Sequence, residues 1–588
     1  MRKILILFAT LSIVAGACGQ AAQTSAPSAS AEPSAAAPSE AASPSASAAA
    51  EVTSYPRNET IYTSGKQWGA PSTWNPLDPN AAMGTVGLQY ETLFLYDPLA
   101  DEFIPWLAES AEWTSPTEYT IKTRQGVQWS DGTPFTAEDV AFTIGLAKVK
   151  ALGSNIWDYV TGATAPDAST VVVTFNDPSY QQWATWTYNS PIVPKHIWEA
   201  KANEEILQET NANGVGTGPY KYKTHADDRM VWERNDGWWA KTALNLEVKP
   251  KYIVDMVNGA NSVALGMVLQ GGMDLSNNFL PGIGELVNRG YVKTYFPKAP
   301  YMLSANTAWL VTNDQKPPTN DPAFRKAIAT AINVGLIVSN AYANIVAPAD
   351  PTGLLPNWDK YVDKAVVAEL GTKYDVNEAK SMLVAAGYKT GSDGFVTNKD
   401  GSPIKLTISV PTGWSDWEAA RDIIVTSLKA AGINTESKPL DYNGLVEARN
   451  SGNFDLVINN EVQVSNTPWT YYDYIFHMPL QQGAGKNRNY GGYENTEAWT
   501  LVQQLDKTPV TDVAAMQGIT SKLQTIFLTD LPVIPMWYNG MWSQVSNAVW
   551  TNWPSSDGDN HHFPSTWNGY WQMGAVLMLT ELEPVPVP

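Results

Sequence analysis

The chain has 588 residues, and its 58 acidic residues outnumber its 38 basic ones, which gives a formal net charge of −20 at pH 7. An acidic surface of this kind argues against nucleic acid as a partner, and against docking on anionic lipid without an added anchor. A chain of this length also exceeds what one hydrophobic core usually holds, so we expect two or more lobes.

The first predicted element is an export leader at residues 1–17. Two basic residues precede an apolar run from Ile4 to Val14, and small residues come directly before Cys18. The run is about eleven residues long, against the roughly 20 that span a bilayer, so a permanent membrane helix is not expected. The ending Ala-Gly-Ala-Cys resembles the lipobox of bacterial lipoproteins, which implies lipidation of Cys18. The alternative is an ordinary secretory signal that is cut after Ala17.

Residues 18–55 form the second predicted element, a stretch of mostly Ala, Ser and Pro. So few large apolar side chains cannot offset the entropy cost of ordering the stretch, and we predict a disordered tether. With a lipid on Cys18, the tether would hold the folded part outside the cytoplasm, at a bacterial cell surface or in the periplasm. Cys18 is the only cysteine, so no disulfide can form within the chain.

The first half of the folded part is predicted to be rich in strands. Alternating apolar residues predict strands at 59–64, 118–124 and 171–175. A helix is predicted at 85–96, ending before Pro98, since the residue before proline disfavours helix. Thr136 is the predicted cap of a second helix, with Asp139 at its third position.

The second half mixes helices and strands. Apolar spacing predicts helices at 321–331 and 417–431 and strands at 405–410 and 455–459, which together indicate an α/β lobe. The glycine-rich stretches 214–220 and 483–486 lack the spacing of a phosphate loop and are predicted turns. His561-His562 is predicted to lie in a surface loop, and we expect no metal and no cofactor.

Seven segments together resemble the large extracytoplasmic solute-binding proteins of ABC importers, the family of the oligopeptide and dipeptide binders. They occur in the family's order across nearly the whole mature chain. These segments are 90–93 (Tyr-Glu-Thr-Leu), 107–110, 129–140 (Trp-Ser-Asp-Gly-Thr-Pro-Phe-Thr-Ala-Glu-Asp-Val), 216–220, 234–239, 321–328 (Asp-Pro-Ala-Phe-Arg-Lys-Ala-Ile) and 531–537.

Other segments are similar to the branch of that family that binds cellobiose and longer β-linked oligosaccharides. The segments are Gly69 with 73–76, then 90–99, 191–198, 263–267, 413–417 (Gly-Trp-Ser-Asp-Trp), 467–471 and 549–554. The chain also contains 24 Trp and 26 Tyr. Many of these rings must pack in the core, but flat apolar rings with polar edges also suit the faces of pyranose sugars.

The resemblance implies an α/β, two-lobed periplasmic-binding-protein fold of type II, cluster C-like, with an extra subdomain inserted in lobe one. Lobe one is expected at 56–93, 221–311 and 537–588, the inserted subdomain at 94–220 and lobe two at 312–536. The lobes are expected to close on a ligand by hinge motion, as a monomer that hands the ligand to the permease subunits of an ABC importer.

Candidate ligand-binding residues follow predicted strand ends, where open α/β sheets present their ligands. Packing in the core or at the hinge is the alternative for the aromatic candidates, and for Trp417 in particular, where only Trp414 would then be free. The candidates are Trp68, Asn277, Asn278, Trp414, Trp417, Asn460, Trp469, Tyr472, Trp537 and Tyr538. Trp238 and Trp239 are assigned to structural packing.

The predicted function is capture of β-linked, cellobiose-like oligosaccharides by a membrane-tethered binding protein. An oligopeptide-binding protein of the same importer family is the alternative. A glycoside hydrolase needs two carboxylates at a productive separation. Asp416, Glu418 and Glu461 lie near the predicted cleft, but no nucleophile elbow, zinc helix or catalytic cysteine accompanies them. We therefore do not expect an enzyme.

Overall fold

The structure is a computed structural model that describes residues 55–66, 70–78, 80–146, 156–481, 486–564 and 573–586. Several predictions lie outside the described residues, namely the leader at 1–17, most of the tether at 18–55, the lipidation site Cys18, the aromatic candidate Trp68, and most of the turn at 483–486. Within the described part of the chain, no helix is long and apolar enough to cross a membrane.

The strands, in chain order, are β1 (Thr60–Lys66), β2 (Phe94–Asp97), β3 (Glu102–Pro105), β4 (Ala108–Ser115), β5 (Glu118–Thr123), β6 (Val160–Asp167), β7 (Thr170–Phe175), β8 (Tyr220–Ala226), β9 (Arg229–Arg234), β10 (Tyr252–Val257), β11 (Leu275–Ser276), β12 (Ser304–Thr312), β13 (Lys389–Thr390), β14 (Val396–Thr397), β15 (Leu406–Ser409), β16 (Thr435–Ser437), β17 (Leu456–Asn459), β18 (Val533–Gly540), β19 (Gln544–Val545), β20 (Trp550–Thr551) and β21 (Glu583–Pro584).

The helices are α1 (Ala137–Leu146), α2 (Tyr180–Asn189), α3 (Lys195–Trp198), α4 (Asn203–Gln208), α5 (Trp239–Ala243), α6 (Asn261–Leu269), α7 (Ile283–Asn288), α8 (Pro322–Ala331), α9 (Val334–Asn340), α10 (Lys364–Leu370), α11 (Val376–Ala385), α12 (Ser415–Ala430), α13 (Tyr442–Ser451), α14 (Trp469–Phe476), α15 (Thr496–Asp506), α16 (Val513–Asp530) and α17 (Ala575–Glu581). Short 3₁₀ helices lie at Arg57–Glu59, Ile156–Asp158 and Pro356–Tyr361.

The first sheet has six strands in the order β19-β11-β1-β10-β9-β8. Its central strand β1 pairs in parallel with β10 on one side and β11 on the other. Because parallel strands end at the same edge, the residues that follow β1, β10 and β11 come together there. Helix α6 begins four residues after the end of β10.

The second sheet has five strands in the order β16-β15-β17-β12-β18. Strand β15 is parallel to both β16 and β17, whereas β12 is antiparallel to β17 and β18. Every residue of β17 is buried, as expected for a strand covered on both faces. The carboxyl ends of β15 and β17 lie at one edge, and helix α12 begins beyond the end of β15.

Most of the predicted strands and helices of both halves are confirmed. Strands 405–410 and 455–459 appear as β15 and β17, and helices 321–331 and 417–431 as α8 and α12. Helix α8 begins after Asp321, whose carboxylate accepts a hydrogen bond from the backbone N–H of Ala323 at 3.0 Å. At the start of α1, the Asp139 carboxylate accepts from the backbone N–H of Thr136 at 2.8 Å, the return contact of a capping box.

The helix predicted at 85–96 is wrong. Its end, residues 94–97, forms strand β2, which pairs with β3, and the residues before it lie in turns around Gly84 and Gly87, whose φ values are 88° and 96°. The carboxylate of Glu91 in this segment accepts hydrogen bonds from three buried indoles, those of Trp106, Trp238 and Trp239, at 3.0, 3.1 and 2.7 Å. These long-range contacts outweigh the local helical pattern, and they agree with the assignment of Trp238 and Trp239 to packing.

A third sheet, β4-β5-β7-β6, lies within the segment predicted as an inserted subdomain. The predicted strands 118–124 and 171–175 are its members β5 and β7. The predicted lobe boundaries at 311/312 and 536/537 fall inside β12 and β18. These two strands pair with each other along most of their length in the second sheet. The chain passes between the first two sheets once after β11 and again between β18 and β19.

Candidate functional site

The candidate site lies where the carboxyl edges of the first two sheets meet. We call residues 64, 258–261 and 277–278 the first edge, and residues 411–416, 442 and 459–461 the second edge. The two edges touch, since the backbone N–H of Asn261 donates to the carbonyl oxygen of Gly413 at 3.1 Å. Strand ends that feed helix starts are where α/β sheets bind their ligands, so these facing edges form a candidate cleft.

The first edge is built from neutral polar side chains. Ser64 Oγ donates to Asn277 Oδ1 at 3.1 Å, and Asn278 Nδ2 donates to Asn258 Oδ1 at 3.2 Å. Asn258 and Asn278 are only 2% and 4% exposed, yet Asn258 Nδ2 and Asn278 Oδ1 have no hydrogen-bond partner among the described residues. Buried polar atoms are nearly always paired. This edge therefore has one buried donor and one buried acceptor that lack a partner among the described residues.

The second edge presents an aromatic pair. Trp414 is half-buried at the N-cap of α12, and its ring stacks with that of Tyr442 at a centroid distance of 6.0 Å and an interplanar angle of 23°. Trp414 also meets Trp417 edge to face at 4.8 Å. The pair makes this part of the second edge aromatic.

Beside this pair lies a charged cluster in which the charges are matched. The Arg449 guanidinium donates to Glu461 and, at 3.2 Å, to Asn459 Oδ1, and it sits 4.0 Å from the centroid of the Tyr490 ring. The hydroxyls of Tyr474 and Tyr490 both donate to Glu461. Burial is the main cause that raises the pKa of Tyr490, and the neighbouring Glu461 raises it further. The cluster therefore presents an ion pair and not a single net charge.

Asn277, Asn278, Trp414 and Asn460 are the predicted residues that the structure brings to the two edges. Asn460 follows β17 directly and is half-buried, with its backbone N–H donating to Asn459 Oδ1 at 2.9 Å. Ligand contact by these four residues stays a prediction.

Five other predicted residues lie in buried packing positions, and ligand contact by them stays a prediction. None of them is more than 9% exposed. Trp417 begins the buried face of α12, as the alternative interpretation has it, and the Tyr538 hydroxyl donates to a backbone carbonyl at 2.8 Å. The five are Trp417, Trp469, Tyr472, Trp537 and Tyr538.

Several residues of the two edges are not among the ligand-binding residues predicted from the sequence. Ser64 lies near the end of β1, Asn258 follows β10 and Asn261 begins α6, so a search at strand ends would have found the last two had β10 been recognised. Tyr442 and Arg449 lie on α13 and reach the second edge only through the packing of that helix, which no local pattern encodes.

The carboxylates considered for hydrolysis are not paired with each other. Asp416 is buried and bonded to Tyr342 and Asn261, while Glu461 is bonded to Arg449. Glu418 accepts from the backbone N–H of Gly413 at 3.2 Å. Among the described residues, no group of three or more His, Cys, Asp or Glu side chains is placed to hold a metal ion.

Known proteins resemble this chain over most of its length. The sequence model of the bacterial extracellular solute-binding proteins, family 5 Middle, matches residues 102–481. The periplasmic oligopeptide-binding protein of an oligopeptide ABC transporter from Thermotoga maritima, solved with bound mannohexaose, is 43% identical, with a TM-score of 0.86 over 90% of this chain and 99% of that one. This structure confirms the predicted α/β periplasmic-binding-protein fold.

Curated relatives are more distant. The periplasmic oligopeptide-binding protein OppA of Escherichia coli strain K12 is 25% identical over 74% of this chain and 79% of its own length. A putative ABC transporter peptide-binding protein of Brucella ovis is 24% identical over 54% of this chain, and the match spans 59% of that relative.

Proposed function

Because this chain belongs to the bacterial extracellular solute-binding proteins of family 5, we propose that it captures a β-linked, cellobiose-like oligosaccharide between the two edges and delivers it to an ABC importer. The family consists of binding proteins and not of enzymes, so the hydrolase alternative is set aside. The family is also extracellular, which agrees with the export leader predicted from the sequence.

The unpaired amide atoms of the first edge are the observation that carries the sugar proposal. A sugar hydroxyl both donates and accepts, so a vicinal diol can satisfy Asn258 Nδ2 and Asn278 Oδ1 together. Leaving such atoms unpaired in a buried site costs about 1–3 kcal/mol each. A hydroxylated ligand therefore removes a penalty that the free protein bears.

The second edge supports the same class of ligand. Trp414 and Tyr442 offer a flat apolar surface on which a pyranose ring can stack. The bound mannohexaose in the Thermotoga maritima protein shows that a 43% identical relative accepts an oligosaccharide.

An oligopeptide is the second candidate, and the names of the relatives favour it. A peptide carries a charged amino group and a charged carboxylate, which need opposite charges in a water-poor cleft. Arg449 and Glu461 supply both signs beside the second edge and are paired with each other, although Arg449 Nε has no hydrogen-bond partner among the described residues. The described edges therefore suit a neutral ligand better than a charged one.

Anchoring and delivery complete the proposal. The chain crosses twice between the first two sheets, so the lobes can rotate about these crossings and enclose the solute. A lipid on Cys18 would keep the monomer at the membrane, where the permease subunits of an importer receive the solute. Tethering raises the effective concentration of the captured solute at the permease.

A calorimetric titration series tests the proposal. The mature protein is titrated with cellobiose, cellohexaose, mannohexaose and trialanine at one temperature and pH. We expect saturable binding of at least one β-linked glucan or mannan oligosaccharide and none of trialanine. Binding of trialanine without any sugar would replace the sugar proposal with the peptide alternative, and release of monosaccharide would contradict the binding-protein role.

A further inference from the structure

Helices α6 and α12 meet at their amino-terminal ends, and this contact joins the two sheets. Helix α6 follows β10 of the first sheet, whereas α12 follows β15 of the second. Asn261 Nδ2 donates to Asp416 Oδ1 at 3.0 Å and to Ser415 Oγ at 3.3 Å. The side chain of one residue on the first edge is thus bonded to two residues on the second.

The backbones approach closely at the same place. Gly413 has a φ of 90°, and a Cβ atom there would lie 2.7 Å from the carbonyl oxygen of Gly259 and 3.1 Å from the Cβ of Ala260. A side chain at 413 would therefore push the two edges apart. The contact between Asn261 and Asp416 depends on this close approach, since both side chains are short.

Asp416 is the central group of the contact because it has partners on both sides. Its Oδ2 accepts from the Tyr342 hydroxyl at 3.0 Å, on the side of the second sheet, while its Oδ1 accepts from Asn261 on the side of the first. The side chains of Asp416 and Asn261 are buried, at 4% and 5% exposure. A carboxylate suits this position because it accepts through both oxygens, whereas an amide has a single accepting oxygen for the two donors.

Tyr342 is itself held between the two sheets. Its ring meets Phe279, which follows β11 of the first sheet, at 5.6 Å, and Trp537 of β18 in the second sheet at 5.4 Å. A cavity of about 350 Å³ beside it is lined by Phe279, Tyr342 and Asp416, among others. The hydrogen bonds of Asp416 thus lie beside the contacts of the Tyr342 ring with Phe279 and Trp537, which also join the two sheets.

We propose that Asn261 and Asp416 are positioning residues for solute capture, which stabilise the arrangement in which both edges face one solute without touching that solute. The inference rests on the proposed function, because it explains how the affinity for a captured solute is set. For a solute that binds only the closed arrangement, the apparent affinity is proportional to the fraction of molecules that are closed. A hydrogen bond to a charged group contributes enough to change that fraction about tenfold or more.

Single and reciprocal substitutions test the pair. Asn261→Asp places two carboxylates against each other, and Asp416→Asn removes the charge and leaves one accepting oxygen for two donors, so each is expected to weaken mannohexaose binding about tenfold or more. In the double variant N261D/D416N the amide at 416 donates to the carboxylate at 261 while its oxygen still accepts from Tyr342. We expect this variant to bind within about threefold of the wild type.

The matched control is Asp422→Asn, which makes the same change on the exposed side of α12, where Asp422 bonds to its neighbour Arg421. Its affinity is expected to equal that of the wild type. Circular dichroism and thermal unfolding of every variant establish that it is folded. If both single variants bind as the wild type does, or if the double variant is no better than the weaker single variant, the inference is wrong.

Small-angle X-ray scattering without ligand separates this inference from the proposed function. Asn261→Asp is expected to increase the radius of gyration, and N261D/D416N to return it to the wild-type value. A wild type that binds no oligosaccharide would overturn the proposed function while leaving the scattering result as the test of the pair. An unchanged radius of gyration in Asn261→Asp, together with unchanged affinity, would overturn the pair alone.

Discussion

Trp414 and Trp417 differ in role although they are only three residues apart. Trp417 lies on the buried face of α12 together with Ala420 and Ile424, which follow at helical spacing. Trp414 precedes the first turn of the helix, so it is not constrained to that face and remains half-buried beside Tyr442. The helix start therefore decides which of the two rings is fully buried and which is half-buried.

Replacing Trp414 tests that difference. We expect Trp414→Ala to weaken mannohexaose binding about tenfold, because the stacking surface is lost and an aromatic contact contributes roughly 1–1.5 kcal/mol. Isothermal titration calorimetry measures the change. Trp113→Ala, which removes a half-buried tryptophan of the third sheet, serves as the control and should leave the affinity unchanged. Equal losses in both variants would mean that Trp414 acts through general stability.

Sequence reasoning located part of this site, since Asn277 and Asn278 follow a strand-like segment and Trp414 precedes a clear helix. It did not find Asn258, because the strand before it was not recognised. The pairing of Arg449 with Glu461 joins a helix to a loop 12 residues later in the chain. Such a pairing depends on how α13 packs, and the local sequence carries no sign of it.

At the scale of elements, Asp506 joins two parts of the molecule. It is the last residue of α15, and its carboxylate caps α2 by accepting from Ser179 Oγ at 2.6 Å and from the backbone N–H groups of Gln181 and Gln182 at 3.1 and 2.8 Å. An anion is favourable at a helix amino terminus. Burial nevertheless raises the pKa of Asp506 from its ordinary value of 3.8 to about 6.

This raised pKa predicts a pH dependence of stability. The folded state keeps the proton of Asp506 to higher pH than the unfolded state, so the stability that this group contributes is present below about pH 4 and is lost as the pH rises to about 6. The loss amounts to about 3 kcal/mol for a shift of this size. Asp506→Asn removes the titration.

Urea unfolding at a series of pH values measures this effect. The free energy of unfolding of the wild type, minus that of the variant, is expected to fall between pH 4 and pH 6.5. A difference that is the same at both ends of the range would show that Asp506 does not titrate there.

The elements themselves were largely predictable where local pattern and tertiary contacts agree, as in α8, α12, β15 and β17. The segment 85–96 shows the opposite case. Its apolar spacing suits a helix, but Glu91 finds its indole partners 15, 147 and 148 residues away. A buried carboxylate held by such distant donors fixes the backbone of the segment, and no window of local sequence contains that information.

At the scale of the whole molecule, a solute held between two sheets must stabilise the fold. Ligand at 100 times its dissociation constant is expected to add about 2.7 kcal/mol to the free energy of unfolding. Thermal unfolding with and without mannohexaose checks this, and the midpoint should rise with the logarithm of the sugar concentration. A sugar that binds by calorimetry without raising the midpoint would have to bind the unfolded chain equally well.

The anchor is tested at Cys18. Cys18→Ser is expected to move the protein from the membrane fraction to the soluble fraction while leaving its affinity for the solute unchanged, because none of the residues of the two edges belongs to the predicted tether. Fractionation of the producing bacteria followed by immunoblotting measures the distribution. Retention of the variant at the membrane would contradict lipid anchoring at Cys18.

The lobe boundaries were the least predictable feature at this scale. The sequence shows where strands begin and end, but the chain changes sheets in short irregular stretches such as 541–543, which carry no distinctive pattern. Strands β12 and β18 lie side by side in the second sheet, one on each side of the segment predicted as lobe two. Their pairing is non-local, so it could not be inferred from either strand alone.

The contacts around Glu91 have a consequence for the segment 94–220. Glu91 lies just before that segment, and two of its indole partners lie just after it. At the same place the backbone N–H of Tyr220 donates to the carbonyl oxygen of Leu88, and a Cβ atom at Gly216 would lie 1.9 Å from the carbonyl oxygen of Gln89. The two ends of the segment are therefore joined to each other, so the chain enters and leaves it at one place, while Asp506 of α15 holds α2 within the segment against the second half of the chain.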